Sequence, residues 1–147
     1  MVEIIVAVSI ITVSVLVMMA VAEKSIYVSR QSTHSGQATF LLEEGAEAVR
    51  ITRDNAWSNI SGLNNATNYY PLFSSGTWSL STTSSQVGIF TRKVNIASVN
   101  RDNTTSDIAT SGTDDPGTKL MTITVSWVEA GTTVTKTLSF YIMDIFS

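Results

Sequence analysis

The sequence contains no cysteine, and its two prolines leave the first 70 residues without one. Without cysteine, disulfide bonds and thiolate metal sites are excluded, although the redox compartment stays open. Because proline breaks helix interiors, its absence leaves room for one uninterrupted helix in the first half of the chain. Ser and Thr instead make up 40 of the 147 residues, a polar composition common in exported surface proteins.

Charge is also scarce. Only 14% of the residues are charged, the net charge is −3, and the nine Lys and Arg side chains are dispersed. No nucleic-acid surface is therefore expected. The single histidine, His34, has no nucleophile or metal-ligand cluster around it in the sequence, and we interpret it as a solvated helix residue. With no convergent catalytic set and no cofactor motif, we expect neither an enzyme nor a bound cofactor.

The first 22 residues form a long apolar run. Residues 4–22 carry no ionisable side chain, and as a helix they would span roughly 28 Å, about one bilayer. The run has neither a basic start nor a small-residue cleavage site, so it predicts an anchor rather than a cleavable signal. Lys24 and Arg30 follow it, and the positive-inside rule would then place the rest of the chain in the cytoplasm. A basic leader removed before Met1 would reverse that orientation.

Beyond the apolar run, charges of both signs appear and small or apolar residues recur every three or four positions. This spacing predicts that the helix continues as an amphipathic helix, from about Val2 to about Asn55. Residues 29–36 are its expected soft point, since they are rich in poor helix formers and include Gly36. The predicted buried face comprises Ala38, Leu41, Leu42, Gly45, Ala46, Val49, Thr52 and Ala56.

Residues 55–91 contain no charged side chain. We expect an irregular connection with short extended pieces, fastened to the helix by large side chains. The expected anchors are Tyr69, Tyr70, Leu72, Phe73, Trp78 and Leu80. Sugar or surface binding by Tyr69, Tyr70 and Trp78 is the alternative to a purely structural role.

The C-terminal part predicts strands. Residues 87–99 are one candidate, residues 100–118 read as a turn-rich linker, and residues 119–129 and 133–145 alternate apolar and polar side chains on either side of a short hairpin connection. We therefore predict an α+β fold in which a long N-terminal α-helix, hydrophobic in its first half, packs by its second half against a C-terminal antiparallel β-sheet of three or more strands. The expected domains are a transmembrane or core helix (1–22), an amphipathic helix (23–55) and a β-sheet-containing globular head (56–147).

Glu3 is the one charge within the apolar run. It can be an interfacial glutamate favoured by the helix dipole, or a carboxylate that awaits a cation from another subunit, such as a free α-amino group. The residues from Val2 to Ile11 (VEIIVAVSII) resemble the mature N-terminus of type IV pilins and of the pseudopilins of type II secretion, in which a glutamate precedes an apolar helix. The resemblance is specific over the first 22 residues, and the order of helix, loop and β-hairpin also fits the family.

The resemblance implies a structural subunit of a type IV pilus-like filament. In that family a prepilin peptidase removes a short basic leader and methylates the new N-terminus. A motor then moves the subunit from the cell membrane into an extracellular homopolymer, a surface fimbrium that can serve cell adhesion. The implied assembly residues are Glu3 and Met1. The implied filament-core contacts are Ile4, Ile5, Val8, Ile11, Val15, Met18 and Met19.

Two alternatives to a major pilin stay open. One is a pseudopilin or minor pilin of a secretion or DNA-uptake machine, and the other is a single-span anchored surface binding protein. The sequence departs from the family in lacking an early proline and a cysteine pair. Glu3 also lies only two positions after Met1, where four are usual, so we expect either two further residues before it or a different cleavage register.

Two weaker patterns occur in polar segments. Asp102, Asp107, Asp114 and Asp115 share one predicted loop but do not match a calcium-binding loop, so solvated turn residues are the main expectation and a calcium site the minor one. Asn59, Asn65 and Asn103 each begin an Asn-X-Ser/Thr acceptor sequence for glycosylation. Eight asparagines in so Ser/Thr-rich a chain predict about two such matches by chance.

Overall fold

A computed structural model of the chain describes residues 1–145. It has two compact units, Met1–Gln37 and Ala38–Ser147, and each is described by itself. The helices are α1 (Val2–Asn55) and α2 (Ser58–Ser61). The strands are β1 (Tyr70–Ser74), β2 (Thr77–Ser81), β3 (Gln86–Val87), β4 (Phe90–Arg101), β5 (Ile108–Ala109), β6 (Thr113–Glu129) and β7 (Thr132–Met143).

The predicted α+β fold is confirmed. Strands β3, β4, β6 and β7 lie side by side in that order, β5 pairs with β4, and all pairings are antiparallel. Strands β1 and β2 form a separate hairpin. It is joined to the main sheet where Tyr69 and Val94 exchange two backbone hydrogen bonds, at 2.9 and 2.7 Å. The predicted end of the long helix at Asn55 is also confirmed.

The part of α1 that belongs to the second unit packs on this sheet as its spacing predicts. The predicted face is buried or half-buried throughout, and Ala38 and Val49 are fully buried. Opposite it lie the inward side chains of β4 and β6. The buried core consists of Ala38, Leu42, Ala46, Val49, Ile60, Tyr69, Phe90, Val94, Ile96, Met121, Ile123, Val125, Trp127 and Ile142.

The alternation in β6 has its expected effect, since Met121, Ile123 and Val125 are fully buried while the threonines between them face outward. Strand β7 follows the prediction less well. Its Ile142 is buried, but Leu138 is 37% exposed. The reason is topological: β7 is an edge strand of the sheet, so fewer neighbours cover its apolar face.

The predicted linker of residues 100–118 is wrong over much of its length. Residues 113–118 open β6, and Asn100 and Arg101 end β4. The Asp-Asp-Pro-Gly segment (residues 114–117) does not form a turn between strands. It forms a bulge within β6, where the β4–β6 register shifts between Ser98 and Val99. The bulge also changes which residues of β4 face the core. Before it the inward residues have even numbers, whereas after it the buried residue is Val99.

The connection of residues 55–91 is more regular than expected, because it contains α2 and the β1–β2 hairpin. Two of its predicted anchors are wrong: Leu72 and Phe73 are 45% and 59% exposed. They lie towards the tip of the β1–β2 hairpin, where Phe73 packs on Trp78 with ring centroids 5.3 Å apart. Tyr69 and Leu80 do pack into or against the core.

The β6–β7 connection is a two-residue hairpin turn. Glu129 pairs with Thr132, and Ala130 and Gly131 between them have φ of 48° and 80°. These angles suit a type I′ turn, whose twist matches that of the flanking strands. The predicted position of the turn is therefore confirmed.

Gly45 lies where α1 packs closely against the sheet. A Cβ placed there would lie 3.0 Å from Cγ2 of the fully buried Ile123 and 3.2 Å from Cδ of Arg92. We expect Gly45→Ala to lower the free energy of unfolding of the second unit by about 1 kcal/mol, because overpacking outweighs the gain in helix propensity. Thermal unfolding of the full chain in detergent measures it. Gly36→Ala is the matched control, since a Cβ there meets nothing within 4 Å. Equal melting temperatures in the two variants would contradict the prediction.

Candidate assembly surface

The first unit presents an exposed apolar helix. Helix α1 contains a stretch long and apolar enough to cross a membrane, and none of that stretch is buried. The seven predicted core-contact residues are between 45% and 68% exposed. Ile10, Val13, Leu16 and Val17 carry the apolar surface around the rest of the helix. A helix that is apolar all round needs lipid or protein on every side, which distinguishes it from the amphipathic part of α1.

The hydroxyl groups in this stretch do not interrupt the apolar surface. Ser9, Thr12 and Ser14 each donate to the carbonyl oxygen four residues earlier, at 2.7, 2.7 and 2.8 Å. Such bonds satisfy the hydroxyl within its own helix. The stretch can therefore enter an apolar environment without an unpaired hydroxyl donor.

Glu3 lies in the first turn of α1, next to the positive end of the helix dipole. It is exposed, and Met1 is fully exposed. The Glu3 carboxylate and Met1 therefore lie at the same end of the apolar helix. Chemically, this end can offer one anionic group to a cation at the rim of an otherwise neutral surface.

The apolar stretch ends at Glu23 and Lys24. The Lys24 ammonium lies 5.1 Å from the centroid of the Tyr27 ring, a cation–π distance. A lysine and a tyrosine at the end of an apolar helix are typical of a membrane–water interface. His34 lies in α1, as predicted; its side chain is half-buried and interacts with a neighbouring group.

The acidic residues near the β4–β6 turn do not form a metal cluster. Asp102, Asp114 and Asp115 line one open cleft, but within residues 1–145 no three His, Asp or Glu side chains are grouped so as to hold a metal ion. Asp102 Oδ1 accepts hydrogen bonds from the backbone N–H groups of Thr105 and Thr104, at 2.9 and 2.7 Å. These bonds hold the pKa of the Asp102 carboxyl below its ordinary value, and the bond from Thr105 has the larger effect. Asp102 therefore acts as a turn residue.

Asp115 forms an ion pair with Arg101 of the same chain. Arg101 Nε donates to Asp115 Oδ2 at 2.6 Å, and Gly117 N donates to Oδ1 at 2.9 Å. Hydrogen bonds from Thr118 and then from Arg101 lower the pKa of this carboxyl. The Asp115 carboxylate is therefore neutralised within the chain, and the open cleft contains an ion pair where the minor expectation was a calcium site.

The three glycosylation candidates are all exposed but differ in the state of the side-chain amide. In Asn59 and Asn65 the amide nitrogen donates, to Thr52 O at 3.3 Å and to Ser98 Oγ at 3.0 Å. In Asn103 the amide oxygen accepts from Thr113 Oγ1 at 2.8 Å. Glycosylation itself stays a prediction at all three positions.

Sequence reasoning missed the ion pair of Arg92 with Glu44. Arg92 is only 4% exposed, donates from Nη1 to Glu44 Oε2 at 2.7 Å, and lies 5.5 Å from the centroid of the Trp78 ring. The alternation of side chains along β4 could have predicted this burial. Arg92 lies on the same face of the strand as Phe90, Val94 and Ile96, so it faces the core. A buried cation requires a counter-ion from the helix above.

Comparison of the chain with protein-family models, with curated proteins and with solved structures finds no match.

Proposed function

We propose that this chain is a structural subunit of a type IV pilus-like filament, held in the cell membrane before assembly and displayed on the cell surface afterwards. The observation that carries the proposal is an apolar helical stretch with exposed side chains on every side and one acidic residue in its first turn, joined to a separately compact unit. An anchor alone accounts for the apolar surface. For Glu3 an anchor offers only an interfacial position favoured by the helix dipole, whereas a filament also gives the carboxylate a cationic partner.

Assembly exchanges one apolar environment for another. The side chains that contact lipid in the membrane contact neighbouring helices in the filament, so the gain comes from close packing rather than from leaving water. Ala7, Ser14 and Ala20 provide small positions for close approach. Glu3 adds direction, because its carboxylate can pair with the N-terminal amine of a neighbouring subunit and so fix the relative height of two helices.

Electron microscopy of the surface of cells that make the protein, combined with mass spectrometry of the isolated fibres, tests the proposal. We expect fibres composed mainly of this chain, with a methylated N-terminal residue close to Glu3 and the leader removed. A monomer in the membrane with an unprocessed N-terminus would contradict the filament and favour the single-span anchored binding protein. A processed N-terminus without long fibres would favour a pseudopilin or minor pilin.

A cysteine placed on the apolar helix sharpens this test, because the natural chain has none. Val8→Cys puts a thiol in the middle of the exposed surface, whereas Thr135→Cys puts one on the exposed side of strand β7. In fibres we expect oxidation to cross-link identical subunits through position 8 more efficiently than through position 135. Equal cross-linking at both positions would argue against contacts through the helix.

A further inference from the structure

A small neutral cleft lies where the end of α1, helix α2 and strand β2 meet in the second unit. Its volume is about 300 Å³, at the lower end of the range for small-ligand sites. Its lining residues are Thr52, Asn55, Asn59, Thr77, Trp78, Ser79 and Leu80. None of them is charged, so an ionic ligand would lose its hydration there without gaining a counter-charge.

The polar groups of the cleft are neutral amides and hydroxyls, which both donate and accept hydrogen bonds. Asn55 Nδ2 donates to Thr77 Oγ1 at 3.2 Å, and Asn59 Nδ2 donates to Thr52 O at 3.3 Å. Each amide nitrogen thus keeps its second N–H, and within the described residues neither amide oxygen accepts a hydrogen bond, so each amide can both donate to and accept from a ligand. The cleft also adjoins the C-terminal end of α1, which carries the negative end of the helix dipole. A ligand that fits this cleft brings several neutral groups that both donate and accept hydrogen bonds, of which some donate towards the negative end of the helix dipole.

Trp78 supplies the apolar wall. It is half-buried, and the Arg92 guanidinium and the Phe73 ring lie 5.5 and 5.3 Å from its ring centroid. These contacts fix the indole before any ligand arrives, which reduces the entropy lost on binding. A flat, electron-rich ring beside amide and hydroxyl groups suits a ligand with one C–H face and a rim of hydroxyl groups.

We propose that this cleft binds a neutral saccharide, with one sugar ring against Trp78 and its hydroxyl groups donating to the amide oxygens of Asn55 and Asn59. A sugar meets each requirement of the cleft, since it is uncharged, rich in hydroxyl donors and apolar on one face of the ring. The cleft lies wholly within the second unit. Its test therefore does not depend on filament assembly.

Titration of the full chain in detergent with neutral sugars, followed by NMR, tests this proposal. The probes are N-acetylglucosamine, N-acetylgalactosamine, galactose and mannose, each as a monosaccharide and as a short oligosaccharide. We expect at least one of them to shift the Trp78 indole signal with a millimolar dissociation constant that does not change with added NaCl. The indole of Trp127 is an internal control, because it is buried and donates to Glu129 Oε2 at 2.9 Å.

Variants then locate the site. Trp78→Ala is expected to raise the dissociation constant about tenfold or more, and Asn55→Ala to raise it several-fold. Tyr141→Ala is the matched control, since it removes a 49% exposed aromatic ring from the outer face of the sheet, and it should leave binding unchanged. Asn55→Ala also covers the case in which Trp78→Ala unfolds the unit. The proposal is overturned if no sugar of the panel shifts Trp78 at 50 mM, or if binding persists in both cleft variants.

Discussion

Glu3→Gln is expected to abolish filaments, or to reduce their yield at least about 100-fold, while the second unit stays folded. Glutamine keeps the size of the side chain and one acceptor oxygen but not the charge. In a filament core made of apolar helices, a neighbour's N-terminal ammonium would then lie unpaired in a medium of low dielectric. Removing one partner of a buried ion pair costs about 3–5 kcal/mol, and each 1.4 kcal/mol changes an equilibrium tenfold.

The matched control for this variant is Glu23→Gln, which removes the same charge from the same helix just after the apolar stretch. We expect it to leave filament yield within about twofold of the wild type, since an exposed charge near the interface contributes little. Fibre yield is measured by shearing and electron microscopy, and folding by thermal unfolding of the extracted monomer. Normal filaments from Glu3→Gln would refute the assembly role, whereas an unprocessed variant would point to the peptidase instead.

The helical part of the fold could be predicted from the sequence because its signal is periodic and local. The spacing of Ala38, Leu42, Ala46 and Val49 specifies a buried stripe, and all four are buried. The alternation of Met121, Ile123 and Val125 likewise specifies which face of β6 is inside. In both cases the pattern reports the burial of each residue directly, without reference to distant parts of the chain.

The remaining features depend on contacts that are distant in the sequence. The Asp-Asp-Pro-Gly segment has the local chemistry of a turn, but Asp114 and Asp115 pair with Asn100 and Val99 of β4, which holds the segment in a strand. The turn tendency remains only as a bulge. The exposure of Phe73 depends on where the β1–β2 hairpin ends relative to the core. The exposed apolar helix of the first unit could be predicted because its signal is local. The partner proposed for Glu3 belongs to another molecule, so the pairing stays a prediction.

Glu44→Ala is expected to lower the free energy of unfolding of the second unit by about 2–3 kcal/mol. The substitution leaves the guanidinium of Arg92 buried without its counter-ion. Among residues 1–145 it retains the contact with the Leu41 carbonyl oxygen at 3.4 Å and the contact with the Trp78 ring. This loss of stability is smaller than the usual cost of breaking a buried ion pair, because the Glu44 side chain is 46% exposed and water can reach the position that it leaves. Thermal unfolding of the full chain in detergent should show a melting temperature lower by roughly 10 °C.

Two further variants decide whether charge burial is the cause of this loss. Glu43→Ala removes the exposed neighbouring carboxylate on α1 and should change stability by less than about 0.5 kcal/mol. Adding Arg92→Met to Glu44→Ala removes the buried charge and keeps an apolar side chain of similar length, so the double variant should be more stable than Glu44→Ala alone. The single variant Arg92→Met completes the comparison. If the double variant is destabilised relative to the wild type by the sum of the losses in Glu44→Ala and Arg92→Met, the two residues act independently, and the ion pair does not hold α1 to the sheet.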